Sequence, residues 1–229
     1  MEPRVELLFW TALSLGCGLL VVPGLLRSAL GANLTLKEVL RFAWMAGIPF
    51  IALVRGAVGP DMMGLGRDIS QSDHLLGFTR AAWLDGAGAG AAVCAIVLFV
   101  LWLGGKSAGK SAWPGIGPRA LRDALYNEAH WMFYRAAPAI WLGDALGAAG
   151  IGFALMALEW LAHPGFAKMQ KTLAGRQRLA VMFACAVASA FLYLSTKNLW
   201  LMMAVNLVIQ IVGSRVLVGG NWALSKGKS

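Results

Sequence analysis

Charge is scarce in this 229-residue chain: Asp, Glu, Lys and Arg together supply 14% of it, where about a quarter is usual in a soluble domain. With 59% hydrophobic residues and a mean hydropathy of +0.66, a surface of ordinary aqueous composition is excluded. Acidic residues are scarcest, 11 against 20 Lys and Arg, which leaves a formal charge of +9. The basic residues sit between apolar segments, so their placement argues for membrane topology and against nucleic acid as a partner. Cysteine is nearly missing. Cys17, Cys94 and Cys185 each fall inside an apolar stretch and far apart, which excludes a disulfide framework and any metal-ligand spacing. The N-terminus lacks the positive region of a cleavable signal, since Glu2, Arg4 and Glu6 precede the first apolar run; that run is expected to be retained.

What the chain does have is long apolar segments. A hydrocarbon core about 30 Å thick needs roughly 20 apolar residues per helix. Segments of that kind lie at 6–26, 42–58, 82–104, 122–142, 147–163, 178–195 and 198–219, the second short and carrying Pro49. The expected fold is therefore all-α, a polytopic transmembrane bundle of about seven spans. It divides into an N-terminal three-span region over 1–117, a four-span core over 118–219 and a basic cytoplasmic tail over 220–229. The 28 glycines fit this reading, because small residues let membrane helices approach closely. Gly86 and Gly90, with Gly88 between them, form a G-x-x-x-G at the start of the third span. Trp10, Trp83, Trp113 and Trp222 lie near span ends, as interfacial anchors do.

Orientation follows from the basic residues. Loop 27–41 has Arg27, Lys37 and Arg41; loop 105–122 has Lys106, Lys110, Arg119 and Arg122; loop 164–178 has Lys168, Lys171, Arg176 and Arg178; the tail has Lys226 and Lys228. The alternate connections are poor in positive charge: 59–80 sets Arg67 and Arg80 against aspartates, and 196–197 has one lysine. This alternation predicts the N-terminus outside and the C-terminus in the cytoplasm of a cell (inner) membrane.

Two motifs match only on paper. Gly104 to Ser111 reads GGKSAGKS, the phosphate-loop pattern, but no strand precedes it and Trp113-Pro114 follows. Asn33-Leu-Thr35 is a glycosylation sequon on the side expected to be cytoplasmic.

Ionisable residues inside spans carry more information, since lipid burial is costly and such groups face a bundle interior or a polar cavity. In Asn127-Glu-Ala-His-Trp-Met-Phe-Tyr-Arg135, helical periodicity places Glu128, Trp131 and Arg135 on one face, with Asn127, His130 and Tyr134 roughly opposite. The fifth span ends with Glu159 and His163 at i, i+4, and the seventh carries Asn206 and Gln210 at the same spacing. At about 1.5 Å per residue, Glu128, Glu159 and Gln210 fall on the order of 6–9 Å inside the cytoplasmic face, and His163 at the boundary.

The order of these elements resembles the CPBP family of intramembrane metalloproteases, relatives of the CAAX prenyl endopeptidases. That family has a Glu-Glu-x-x-x-Arg helix, a Phe-x-x-x-His helix, and a last helix opened by a Thr-Gly-Ser-Leu-Trp turn and carrying His-x-x-x-Asn. Tyr193-Leu-Ser-Thr-Lys-Asn-Leu-Trp200 is similar to the turn, Asn206 and Gln210 stand at the last helix's His and Asn, and His163 stands at the second motif's His with Glu159 at its Phe. Aligning Arg135 with the first motif's Arg puts His130 and Trp131 on the paired glutamates, with Glu128 two residues earlier. The resemblance covers roughly 118–215. It implies the family's helical framework without its glutamate pair or final histidine, and hence a catalytically silent scaffold or accessory subunit bound to lipid and to other membrane subunits.

Two further readings stay open. An active metalloenzyme would use a rearranged set, Glu128 with His163 as catalytic and metal-binding residues and Glu159 or His130 beside them. A tetrapyrrole-binding subunit would use His130 or His163 as axial ligands. The non-functional counterpart of both is an interhelical polar network of His130, Arg135, Glu159, Asn206 and Gln210, in which Glu128–Arg135 and Glu159–His163 pair. Transport is disfavoured, because no inverted repeat or matched pair of broken helices is present.

Overall fold

The computed structural model describes residues 2–21, 23–24, 33–66, 74–108 and 119–218. Arg27, Arg67, Lys110, Trp113, Trp222 and the tail with Lys226 and Lys228 lie outside the described residues, as do the last three residues of the GGKSAGKS string. Its first half continues the preceding helix.

The described residues are helical nearly throughout. Helix α1 (Pro3–Gly16) opens with proline, whose fixed φ and missing N–H suit a first turn, and runs into a π turn at Cys17–Val21. Asn33 caps α2 (Leu34–Phe42), its side chain accepting from Leu36 N at 3.1 Å, so the sequon asparagine ends up as a helix cap. A π turn at Ala43–Gly47 leads into α3 (Ile48–Val54). A two-residue hairpin follows, β1 (His74–Leu75) antiparallel to β2 (Phe78–Thr79), with Leu76 and Gly77 at φ 54° and 85°. Positive φ at both central residues is what a tight hairpin turn requires. This ribbon departs from the all-helical expectation.

The remaining helices are α4 (Arg80–Ala108), α5 (Arg119–Leu142), α6 (Ala145–Ala162), α7 (Phe166–Lys171), α8 (Leu173–Ser195), α9 (Leu199–Val208) and α10 (Ser214–Val218). A π turn at Ile209–Gly213 joins the last two. Asp144, Thr172 and Asn198 cap α6, α8 and α9 by accepting from backbone N–H groups of the first turn, which satisfies donors the helices leave over.

Among the described residues, three helices are long and apolar enough to cross a membrane: Arg80–Lys106, Ala145–Ala162 and Leu173–Ser195. This corrects the expectation of about seven spans. Within the described residues, segments 6–26, 42–58 and 198–219 do not form single long α-helices, because π turns interrupt or end their helices. Segment 122–142 lies in one long helix, α5, but Arg122, Asp123, Glu128 and Arg135 dilute its apolar character. Those last two charges are fully buried, because α5 packs at the centre between α6, α9 and α1. The outer faces are apolar instead: Leu84 is 74% exposed and Ile96 64% exposed on α4. A helix whose exposed side is leucine and isoleucine meets lipid, so the protein is a multi-pass membrane protein.

The G-x-x-x-G works as expected. A Cβ on Gly86 would lie 3.0 Å from Leu201 Cδ2, and one on Gly90 would lie 3.1 Å from Val205 Cγ2, so α4 meets α9 through these glycines. Gly88 points into open space. Basic residues gather at one end of the bundle, where Arg41 pairs with Asp123 and Arg122 with Glu38, each at 2.8 Å. At the α8–α9 turn, residues 57–65 fold inward, burying Val58 and Met63, and Leu199 N donates to Gly64 O at 2.9 Å.

Candidate functional site

Two polar clusters occupy opposite faces of α5. The first is centred on Glu128, which is completely buried. Asn206 Nδ2 on α9 donates to Glu128 Oε1 at 2.7 Å, and Ser189 Oγ on α8 donates to Oε2 at 2.6 Å. Gln210 Nε2 donates to Asn206 Oδ1 at 2.6 Å, while Arg135 Nη1 donates to Ser189 Oγ at 2.9 Å. Ser189 thus relays between guanidinium and carboxylate, which sit one above the other at i, i+7 on one helix. The rest of the guanidinium lies 5.4 Å from the Tyr193 ring centre. Burying a charge pair is tolerable only when hydrogen bonds and an opposite charge replace water; both Glu128 oxygens are satisfied, whereas Arg135 Nε and Nη2 have no hydrogen-bond partner among the described residues.

The second cluster is centred on Glu159 of α6. His130 Nε2 lies 2.9 Å from Glu159 Oε2, and the Tyr134 hydroxyl donates to Oε1. Gly18, at the π turn after α1, faces this carboxylate with no room for a side chain: a Cβ there would come within 2.8 Å of Glu159 Cδ and 2.7 Å of Trp44 Cζ2. Trp44 packs edge-on against the His130 ring, 5.0 Å between centres, and its indole N–H donates to Ser14 O at 2.9 Å. The His130 tautomer that donates from Nε2 leaves a lone pair on Nδ1, and that buried atom has no hydrogen-bond partner among the described residues.

A cavity of about 590 Å³ opens beside this second cluster. His130 and Glu159 line it, with His163, Trp131 and Trp160. Its walls come from α2, α5, α6, α7 and α8, and it sits at the basic end of the bundle, with Lys37, Arg41, Lys168 and Arg178 around it.

These positions sort the residues singled out from the sequence. Glu128, Arg135, Asn206 and Gln210 come together, as the antiparallel neighbours suggest. Glu128 and His163 do not: Glu128 faces α8 and α9, whereas His163 follows the end of α6, where its Nδ1 accepts from Gly165 N at 3.0 Å. Glu159 pairs with His130 across the helix interface rather than with His163 on its own helix, and the His163 ring accepts from Gly165 N instead. Glu128 and Arg135 meet through Ser189 rather than directly. Among the described residues no group of three or more His, Cys, Asp and Glu side chains could hold a metal ion. For a tetrapyrrole the cavity offers His130, its Nε2 already committed to Glu159, and His163.

Ser189, Tyr134, Trp44 and Gly18 escape a reading by charge. Tyr134 was recoverable, since it lies one turn after His130 on the same face; Ser189 is a lone hydroxyl in an apolar helix and carries no such signal. No family model matches the chain, and neither the curated proteins nor the solved structures provide a match.

Proposed function

We propose that this protein is a multi-pass inner-membrane protein with a CPBP-like core that has lost its peptidase centre, and that it acts as a non-catalytic scaffold or accessory subunit of a membrane complex. The observation that carries this reading is the bond from Asn206 to Glu128. Asn206 stands at the last helix's histidine, and Glu128 lies two residues before the positions of the paired glutamates. Here an amide replaces the histidine, and both oxygens of the carboxylate accept hydrogen bonds from neighbouring helices. A carboxylate so committed is a strut between helices and a poor base.

The turn before α9 supports the framework half of the proposal. Lys197 stands where the family's motif has glycine, and its φ is +46°, a backbone conformation that favours glycine. Asn198 stands at the motif's serine and caps α9 by accepting from Trp200 N and Leu201 N. A left-handed residue followed by a helix cap is what a Gly-Ser pair would also supply, and this supports the framework reading. The gathering of Lys37, Arg41, Lys168 and Arg178 at one end supports an orientation with that end, and the C-terminus, in the cytoplasm.

The test is the mass of the particle extracted from its native membrane in mild detergent, measured by light scattering after size exclusion. A second membrane protein in fixed stoichiometry with this 24.3 kDa chain is expected. A lone monomer sinks the reading.

One observation favours a second reading, a rearranged hydrolytic site. His130 is oriented by Glu159 and leaves Nδ1 unpartnered, and both residues line a cavity large enough for substrate. On that reading His130 is the base and Glu159 orients it. Loss of biological activity in His130→Gln, with the complex intact, would favour it over the scaffold.

A further inference from the structure

We propose that the cavity beside His130 binds one anionic phospholipid, its phosphate held by the basic rim and its hydrocarbon by the apolar wall. The proposal rests on the membrane-embedded reading and is independent of whether the protein is catalytic.

The volume, about 590 Å³, lies within the range of roughly 300–1,000 Å³ that small-molecule sites occupy. Chemically the cavity has three zones. Its wall is apolar, with Leu40, Met45, Trp131, Trp160 and Met182. Its rim is positive. Arg41 is spent on Asp123 and Glu38 on Arg122, but among the described residues Lys37, Lys168 and Arg178 have no carboxylate partner. The remaining acid, Glu159, is turned to His130 and Tyr134 and so does not neutralise the rim. The third zone is His130 itself, 1% exposed, whose Nδ1 is buried without a partner and can accept from a ligand hydroxyl.

A soluble anion would use the rim and leave the wall wet; a neutral lipid would use the wall and leave three cations unmatched. An anionic amphiphile with hydroxyls on its headgroup uses all three zones. Basic pockets between membrane helices on the cytoplasmic side hold anionic headgroups for this reason, and each cation near such a surface contributes about fivefold in affinity.

The experiment uses the full-length protein in detergent and native mass spectrometry with phosphatidylglycerol, phosphatidylcholine or glycerol 3-phosphate. Saturable retention of one phosphatidylglycerol, at least tenfold preferred over phosphatidylcholine, is expected. Lys37→Glu, Lys168→Glu and Arg178→Glu combined should abolish that preference while helical circular dichroism stays unchanged. Should the triple variant fail to fold, Lys168→Glu alone, at an exposed position, should reduce the preference about fivefold or more. Equal retention of both lipids, or a preference that survives the charge reversals, overturns the proposal. Glycerol 3-phosphate bound as tightly as the lipid overturns it in favour of a soluble phosphate ester. None of these outcomes bears on whether a protein partner co-purifies, so this inference and the scaffold reading fail separately.

Discussion

Asn206 Nδ2 donates to Glu128 Oε1 over 2.7 Å, binding α9 to α5 across 78 positions of sequence at a point where both residues are buried. The bond gives a buried carboxylate a neutral partner and gives α9 a fixed register against the central helix. Ser189 completes the junction from α8 and passes it on to Arg135. The cluster therefore joins three helices through one carboxylate, and its removal has consequences on all of them.

Glu128→Ala is expected to destabilise the protein by about 3–5 kcal/mol, because it leaves the Arg135 guanidinium buried without its countercharge. Glu128→Gln keeps a carbonyl acceptor and should cost less. Arg135→Met combined with Glu128→Ala should recover much of the loss, since the uncompensated charge is gone. Thermal unfolding in detergent of the four proteins, wild type included, measures the ordering. A double variant as unstable as Glu128→Ala would contradict the charge argument.

The glycines of α4 separate packing from propensity. Gly86→Leu and Gly90→Leu force side chains into Leu201 and Val205 and should each cost about 1–3 kcal/mol. Gly88→Leu meets open space and should be neutral or slightly stabilising. Equal losses at all three positions would mean that α4 does not meet α9 through this face.

The turn at 196–198 offers a gain and a loss in adjacent residues. Lys197→Gly relieves a left-handed backbone and should stabilise by roughly 0.5–1 kcal/mol. Asn198→Ala removes the cap on Trp200 N and Leu201 N and should destabilise by about 0.5–2 kcal/mol. Unfolding midpoints in mild denaturant distinguish the two signs.

Orientation is open to labelling. A cysteine placed at Gly143 should react with an impermeant maleimide in intact cells, whereas one at Lys168 should react only after the membrane is opened. The observation behind this is the clustering of Lys168 with Lys37, Arg41 and Arg178 at one end of the bundle. The reverse pattern would invert the proposed topology.

The sequence makes the membrane class legible for a simple reason: apolar composition and the spacing of basic residues are additive properties, readable one segment at a time. The same holds for Gly86 and Gly90. Span counting is less secure. Helix α5 breaks the composition rule because its buried charges face neighbouring helices, and segments 42–58 and 198–219 contain π turns that hydropathy does not register.

The sequence alone determined that this chain is helical and lipid-facing, and that its few buried ionisable groups would need partners. Which partners they take was decided by tertiary structure. Helical periodicity puts Glu159 and His163 on one face, yet the His163 ring bonds Gly165 N and the α5–α6 interface brings His130 and Tyr134 to the carboxylate instead. Local spacing ranks candidates within a helix, whereas a buried charge is satisfied by whatever neighbouring helices bring within hydrogen-bond reach. That choice is made by packing, between residues far apart in the chain.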